Sequence, residues 1–188
     1  RRFIRSLIVR AIRAEYGSRA PRCVGVFVDD PVEHVQAVRR QAGLDLAQLH
    51  GQETTQEMQQ LGPRAFKAIR PQDAAQARAL WGQYARVGPT DSTLPQLLLD
   101  AYHPIQPGGT GRMVDPEIAR SLARRSRLLL AGGLRPENVG DAIRRVRPWG
   151  VDVSSGTERV KGRKDHDRVR AFVQAVREAE AIPPPCGV

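Results

Sequence analysis

The 188 residues contain few aromatics (5%), two cysteines, three lysines and no long apolar run. Each shortage closes off a class. The longest apolar runs, Leu97 to Leu99 and Leu128 to Ala131, fall far short of the ~20 residues that span a bilayer. Residues 1–20 are basic throughout and lack the apolar stretch of a secretory signal. A chain outside the membrane, in the cytoplasm, is expected. Cys23 and Cys186 have neither metal nor redox spacing, so a reduced compartment and no metal site are expected. No run of aromatics is interleaved with the arginines and no zinc-finger or RNA-binding motif appears, so no nucleic-acid partner is expected.

Basic charge is plentiful, and nearly all of it is arginine: 30 basic residues, of which only Lys67, Lys161 and Lys164 are lysine. The formal net charge is +10, and residues 1–22 hold seven arginines against Glu15. Such a balance fits an anionic partner, but charge alone reads first as a solvated surface. With 40% hydrophobic and 27% charged residues, disordered and fibrous classes are excluded.

Short apolar runs recur along the chain, bounded by Gly, Pro or Asp: Cys23–Asp29, Leu46–His50, Ala65–Arg70, Leu97–Asp100, Leu128–Ala131 and Val151–Val153. Runs apolar on both faces read as buried parallel strands. Helical spacing occupies the intervals: Ser6–Tyr16, Val32–Ala42, Glu53–Leu61, Asp73–Trp81, Pro116–Arg125, Pro136–Val146 and Asp165–Ala179. On the last, Val169, Phe172, Val173 and Val176 form one stripe. Strands alternating with helices mean repeated βα units. The strands end in Asp29, His50, Arg70, Asp100, Gly132 and Ser154, and polar residues spread over many strand ends favour an α/β (β/α)8 barrel over an open sheet. One domain over residues 1–180 and a disordered Pro-rich tail, 181–188, are expected.

Two strand ends suggest anion binding. Leu128–Ala131 runs into Gly132-Gly133, and the last strand into Ser154-Ser155-Gly156. Glycine lets backbone amides approach an anion closely, and barrels often hold phosphate between their last two loops. Either segment alone reads as a tight turn without ligand; the two together favour phosphate. Asp100 ends a central strand, where a carboxylate either caps a turn or works as a general acid or base. Residues 101–112 follow, with glycines at 108, 109 and 111 that suit a lid; His103 on this loop is set aside as a substrate contact. His34 and His166 read as solvated.

In order, the chain carries Gln48-Leu49-His50-Gly51, Leu99-Asp100 with Gly108-Gly109-Thr110-Gly111, Ala131-Gly132-Gly133-Leu134 with Pro136-Glu137-Asn138, and Val151-Asp152-Val153-Ser154-Ser155-Gly156-Thr157-Glu158 with Gly162 and Lys164-Asp165. This series resembles the phosphoribosylanthranilate isomerases of tryptophan biosynthesis. The resemblance implies a barrel that performs an Amadori rearrangement on a small phosphosugar, as a monomer or homodimer, without metal or organic cofactor. It implies that Asp100 is the general acid, that Arg2 pairs with the anthranilate carboxylate, and that Asp152 touches the bridging amine. Gly132, Gly133, Ser154, Ser155 and Gly156 become the phosphate cradle.

The family also begins with a K-I-C-G strand, a helix and a second strand, and its base is that cysteine; residues 1–188 contain no such segment. Cys23 opens a strand at the end away from catalysis and reads as a core or surface thiol. Six of eight strands are therefore expected, with little isomerase activity from residues 1–188 alone and a tendency to associate through apolar strand edges. Two alternatives stay open. One is another phosphosugar barrel, such as an indole-glycerol-phosphate synthase or a histidine-pathway isomerase, although neither paired catalytic residues nor a half-repeat is visible. The other is an inactive phosphate-binding fragment.

Overall fold

The computed structural model describes residues 6–100 and 116–181. Its elements alternate as expected: α1 (Ser6–Tyr16), β1 (Val24–Phe27), α2 (Val32–Ala42), β2 (Leu46–Leu49), α3 (Thr55–Leu61), β3 (Ala65–Ile69), α4 (Ala74–Tyr84), β4 (Leu97–Asp100), α5 (Pro116–Ala123), β5 (Leu128–Ala131), α6 (Pro136–Val146), β6 (Gly150–Val151), β7 (Glu158–Val160), β8 (Arg163–Lys164) and α7 (His166–Ala181). The chain packs as two compact units, Arg1–Ala68 with Gly82–Leu97, and Ile69–Trp81 with Leu98–Val188.

In the first unit strand order follows chain order, β1-β2-β3, and both pairings are parallel, Val24 opposite Leu46 and Ala47 opposite Ala65. All residues of β2 and β3 are buried. The edge strand β1 is not: Val24 and Val26 are exposed while Phe27 is buried. Burial on both faces was expected there. β1 alternates instead, because nothing among the described residues covers its valine face. A Thr54–Glu57 capping box starts α3, each side chain satisfying the other residue's backbone N–H.

The ends of these three strands are tied by a buried charge pair. Lys67 on β3 and Glu53 beyond β2 are about 5% and 4% exposed, with Nζ 3.2 Å from Oε2. The ammonium also donates to the carbonyls of Gly51, Leu49 and Ala68. Glu53 accepts the N–H groups of Asp29 (3.0 Å) and Gly51 (2.8 Å), and Tyr84 donates its hydroxyl to the Glu53 carbonyl. Asp29 adopts a left-handed φ of 55° and accepts the Gln52 N–H. Burial, and then the charges of Glu53 and Glu57, push the Tyr84 hydroxyl above its usual pKa.

In the second unit the order is β4-β5-β6, with β5 and β6 parallel and Leu130 opposite Val151. Strand β6 covers Gly150–Val151, not Val151–Val153. It is cut short because the chain turns at Ser154 into a single 3-10 turn, Ser155–Thr157. The β7–β8 hairpin follows, antiparallel, and was not anticipated. On α6 the residues Asn138, Val139, Ala142 and Val146 face inward. Helix α7 buries Phe172 and Ala179, two turns apart, and leaves Val169 and Val173 exposed. The stripe read from the sequence is therefore too wide: a helix packed mainly on one neighbour, α6, buries only the line of contact.

Removing one partner of a buried charge pair leaves the other uncompensated. Lys67→Met is expected to lower unfolding stability by ~3–5 kcal/mol, and the double variant Lys67→Met/Glu53→Gln to recover part of that loss. Urea unfolding of the three proteins checks both statements.

Candidate active site

Asp100 closes β4 with its carboxylate 24% exposed. Arg70, just after β3, places both Nε (2.8 Å) and Nη2 (2.7 Å) on the same oxygen, Oδ2. Both residues belong to the second unit. Pro71, which is buried, follows Arg70 and restricts it to extended backbone, which sets the direction from which the guanidinium reaches Asp100.

The same unit builds the glycine turns. Gly132 (φ 93°) and Gly133 (φ 63°) take left-handed conformations that side chains rarely adopt, so the turn after β5 requires glycine at both positions. Asn138, buried on α6, closes this turn. Its Oδ1 accepts the Arg135 N–H at 2.9 Å and its Nδ2 donates to the Gly133 carbonyl at 3.0 Å. The turn after β6 lies against it. A Cβ at Gly156 would collide with the Leu134 carbonyl oxygen and lie 3.1 Å from the Arg135 Cα. The two turns thus meet backbone to backbone, and the first-turn amides of Ser155 and Gly156 have no acceptor within the 3-10 turn.

Three side chains brace this junction. Lys164 on β8 donates to the Ser154 carbonyl (2.5 Å) and the Thr157 hydroxyl (3.1 Å). Arg168 donates to the Gly156 carbonyl at 3.2 Å and lies 3.7 Å from Glu137 on α6. Asp165 caps α7 by accepting the N–H groups of Asp167 and Arg168, while its own N–H donates to the Thr157 carbonyl. The Arg168 N–H, outweighing the opposing effect of burial and aided by Asp167, holds the Asp165 carboxyl below its usual range.

Of the residues singled out in the sequence, Gly132, Gly133, Ser154, Ser155 and Gly156 come together, and Asp100 lies in the same unit. Asp152 is exposed one residue past β6, and its N–H donates to the Leu130 carbonyl. Arg2, His103, Cys186, the glycine loop and the Pro-rich tail lie outside the described residues. Cys23 precedes β1, its thiol 3.7 Å from the Pro21 carbonyl, at the strand's start and away from Asp29. In the first unit Gln48 Nε2 lies 3.0 Å from His50 Nδ1. Among the described residues no His, Cys, Asp and Glu side chains cluster as a metal site, and no helix is long and apolar enough to cross a membrane. Sequence reasoning missed Arg70 as a partner and Lys164 as a brace. A lone arginine ending one strand, beside a strand ending in aspartate, was the available signal for the first.

Two outcomes follow from this geometry. Gly156→Ala must push the turns apart, costing ~1–3 kcal/mol of stability as overpacking does. Gly82→Ala, in open space on α4, serves as the stabilising control; urea unfolding reads both. Asp165 contributes stability above the ordinary carboxylate value of 3.8, and loses it as pH falls through its lowered folded value. The advantage of the wild type over Asp165→Asn should therefore be full near neutral pH and shrink below about pH 4 in urea melts.

A family profile described as N-(5′-phosphoribosyl)anthranilate (PRA) isomerase matches residues 7–175. The N-(5′-phosphoribosyl)anthranilate isomerase of Roseiflexus castenholzii is 49% identical over 162 residues, 86% of this chain and 73% of that protein. The phosphoribosylanthranilate isomerase of Thermotoga maritima superposes with a TM-score of 0.74 at 32% identity, covering 94% of this chain and 82% of that one. A phosphoribosylanthranilate isomerase solved in complex with reduced 1-(o-carboxyphenylamino)-1-deoxyribulose 5-phosphate gives 0.73 at 30% identity, covering 94% and 81%. The fold class is accordingly that of the α/β barrel, as the alternating pattern implied. With the profile spanning nearly its whole length, the chain belongs to the N-(5′-phosphoribosyl)anthranilate isomerase family.

Proposed function

We propose that Asp100 and the paired glycine turns of the second unit carry the family's reaction in this chain. N-(5′-phosphoribosyl)anthranilate is converted to 1-(2-carboxyphenylamino)-1-deoxyribulose 5-phosphate, an Amadori rearrangement of tryptophan biosynthesis. One observation carries the assignment of roles: a single unit holds an arginine-paired carboxylate at one strand end and, on the next two strands, backbone turns pressed together by glycine.

The phosphate is read as lying on the amides of Gly132, Gly133, Ser154, Ser155 and Gly156. Backbone N–H groups suit a dianion because they contribute donors without adding counter-charges that would need desolvation. With the phosphate fixed, the other end of the sugar is held near the strand ends, and orientation alone contributes substantially to rate. Asp100 then delivers a proton to the furanose ring oxygen as the C1′–O bond breaks, and the anilino nitrogen shares its lone pair to form C1′=N. Loss of the C2′ proton gives the enol, which becomes the ketone. The removal of that proton is assigned to no residue of 1–188: Cys23 lies at the wrong end of β1. Arg2 is read as the partner of the anthranilate carboxylate, which two parallel N–H groups of a guanidinium match in shape, and Asp152 as a contact to the bridging amine. The reading needs no cofactor. It places the protein in the cytoplasm, as a monomer or homodimer.

The test uses the protein with whatever residues flank 1–188 in its natural chain. Asp100→Asn should keep KM within a few-fold and cut kcat by ~10²–10⁴, the usual worth of a positioned acid. Near-normal turnover in Asp100→Asn would remove it from the mechanism.

A further inference from the structure

We infer that Arg70 is a positioning residue for Asp100: its guanidinium orients the acid and stabilises the carboxylate that proton transfer creates. The inference rests on the reading of Asp100 as the general acid. Three observations support it. Arg70 directs two N–H groups, Nε at 2.8 Å and Nη2 at 2.7 Å, onto one oxygen, so Oδ2 is the atom that both contacts anchor. The carboxylate is only 24% exposed while the guanidinium is 61% exposed, so the arginine bears little desolvation cost and Asp100 is screened less than a surface acid. Buried Pro71 fixes the backbone from which Arg70 extends.

The chemistry gives the pair a direction. As the C1′–O bond breaks, its electron pair goes to the ring oxygen, which takes the Asp100 proton and becomes a hydroxyl. The nitrogen lone pair completes C1′=N, and Asp100 is left as an anion. Negative charge thus develops on Asp100 during the step, next to the Arg70 guanidinium 2.7 Å away. Interactions stronger in the transition state than in the ground state raise kcat and leave KM alone. Lysine is a poor substitute, since a single ammonium cannot hold two N–H groups on that oxygen from two rigidly spaced nitrogens.

Arg70→Ala is therefore expected to fold as the wild type does and to lower kcat about 10- to 100-fold, with KM and inorganic phosphate affinity within ~3-fold. Arg70→Lys should fall between the two. Added guanidinium chloride, at millimolar levels below those that unfold the protein, should restore part of the activity of Arg70→Ala and none of that of Asp100→Asn. In the Asp100→Asn background, Arg70→Ala should cost nothing further, because the two residues act as one unit. Turnover of Arg70→Ala within twofold of wild type, a loss confined to KM, or a loss that guanidinium does not relieve would overturn the inference. The reading beneath it fails separately, through an active Asp100→Asn.

Discussion

The absence of a side chain at Gly156 is the constraint on which the junction of the two glycine turns depends. There the backbone of one βα turn rests on the carbonyl of another, leaving no space for even a methyl group. Close-packed interiors transmit such contacts rather than absorb them. Leu134 and Thr157, on either side, are almost fully buried, and the N–H of Asp165 returns to the Thr157 carbonyl before α7 begins. The helices behind the turns are held by the same junction: Arg168 on α7 reaches both the Gly156 carbonyl and Glu137 on α6. The backbone of the turn is thus braced by two helices and a hairpin.

Charge is placed according to burial. Lys67 and Glu53 are withdrawn from water, where desolvation is costly for each ion and is offset only by dense hydrogen bonding. Here Lys67 meets three carbonyls and Glu53 two amides, so the pair organises three strand ends. Arg70 and Asp100 sit nearer water. An exposed pair contributes roughly 0–1 kcal/mol to stability, so stability is a weak reason for its geometry.

The alternating pattern was legible because Gly and Pro punctuate it. Helices α1, α2 and α6 begin and end where the sequence places them, stopped by Gly17, by Gly43 and, at its start, by Pro136. The last strand was misread because apolar Val151 and Val153 alternate as a strand would, while the turn beginning at Ser154 ends the pairing early. The grouping of Gly132, Gly133 and Ser154–Gly156 could be read because each lies at a strand end, and strand ends of parallel units gather on one side. The pairings of side chains could not. Arg70 and Asp100 are thirty residues apart, and their contact is set by strand neighbours and by the rotamer of a long side chain. Lys67 offered a cue, a cation inside the otherwise apolar Ala65–Ile69, but its partner lies on a loop where spacing carries no information.

The scarcity of lysine acquires meaning at this level. In a chain whose basic residues are nearly all arginine, two of the three lysines sit where several carbonyl or hydroxyl oxygens converge on one point. Lys67 donates to the carbonyls of Leu49, Gly51 and Ala68; Lys164 donates to the Ser154 carbonyl and the Thr157 hydroxyl. An ammonium offers three donors from a single atom in any rotation, whereas a guanidinium spreads five over a rigid plane and would leave several unpaired in such a pocket. Arginine serves the opposite geometry, flat and open, on surface pairs such as Arg145 with Asp141 and Arg170 with Asp167, and against the single oxygen of Asp100. Arg168 uses one nitrogen for the Gly156 carbonyl and another toward Glu137. At these positions the cation suits the shape of its acceptor set, and Lys164 and Arg168 together brace the turn that begins at Ser154.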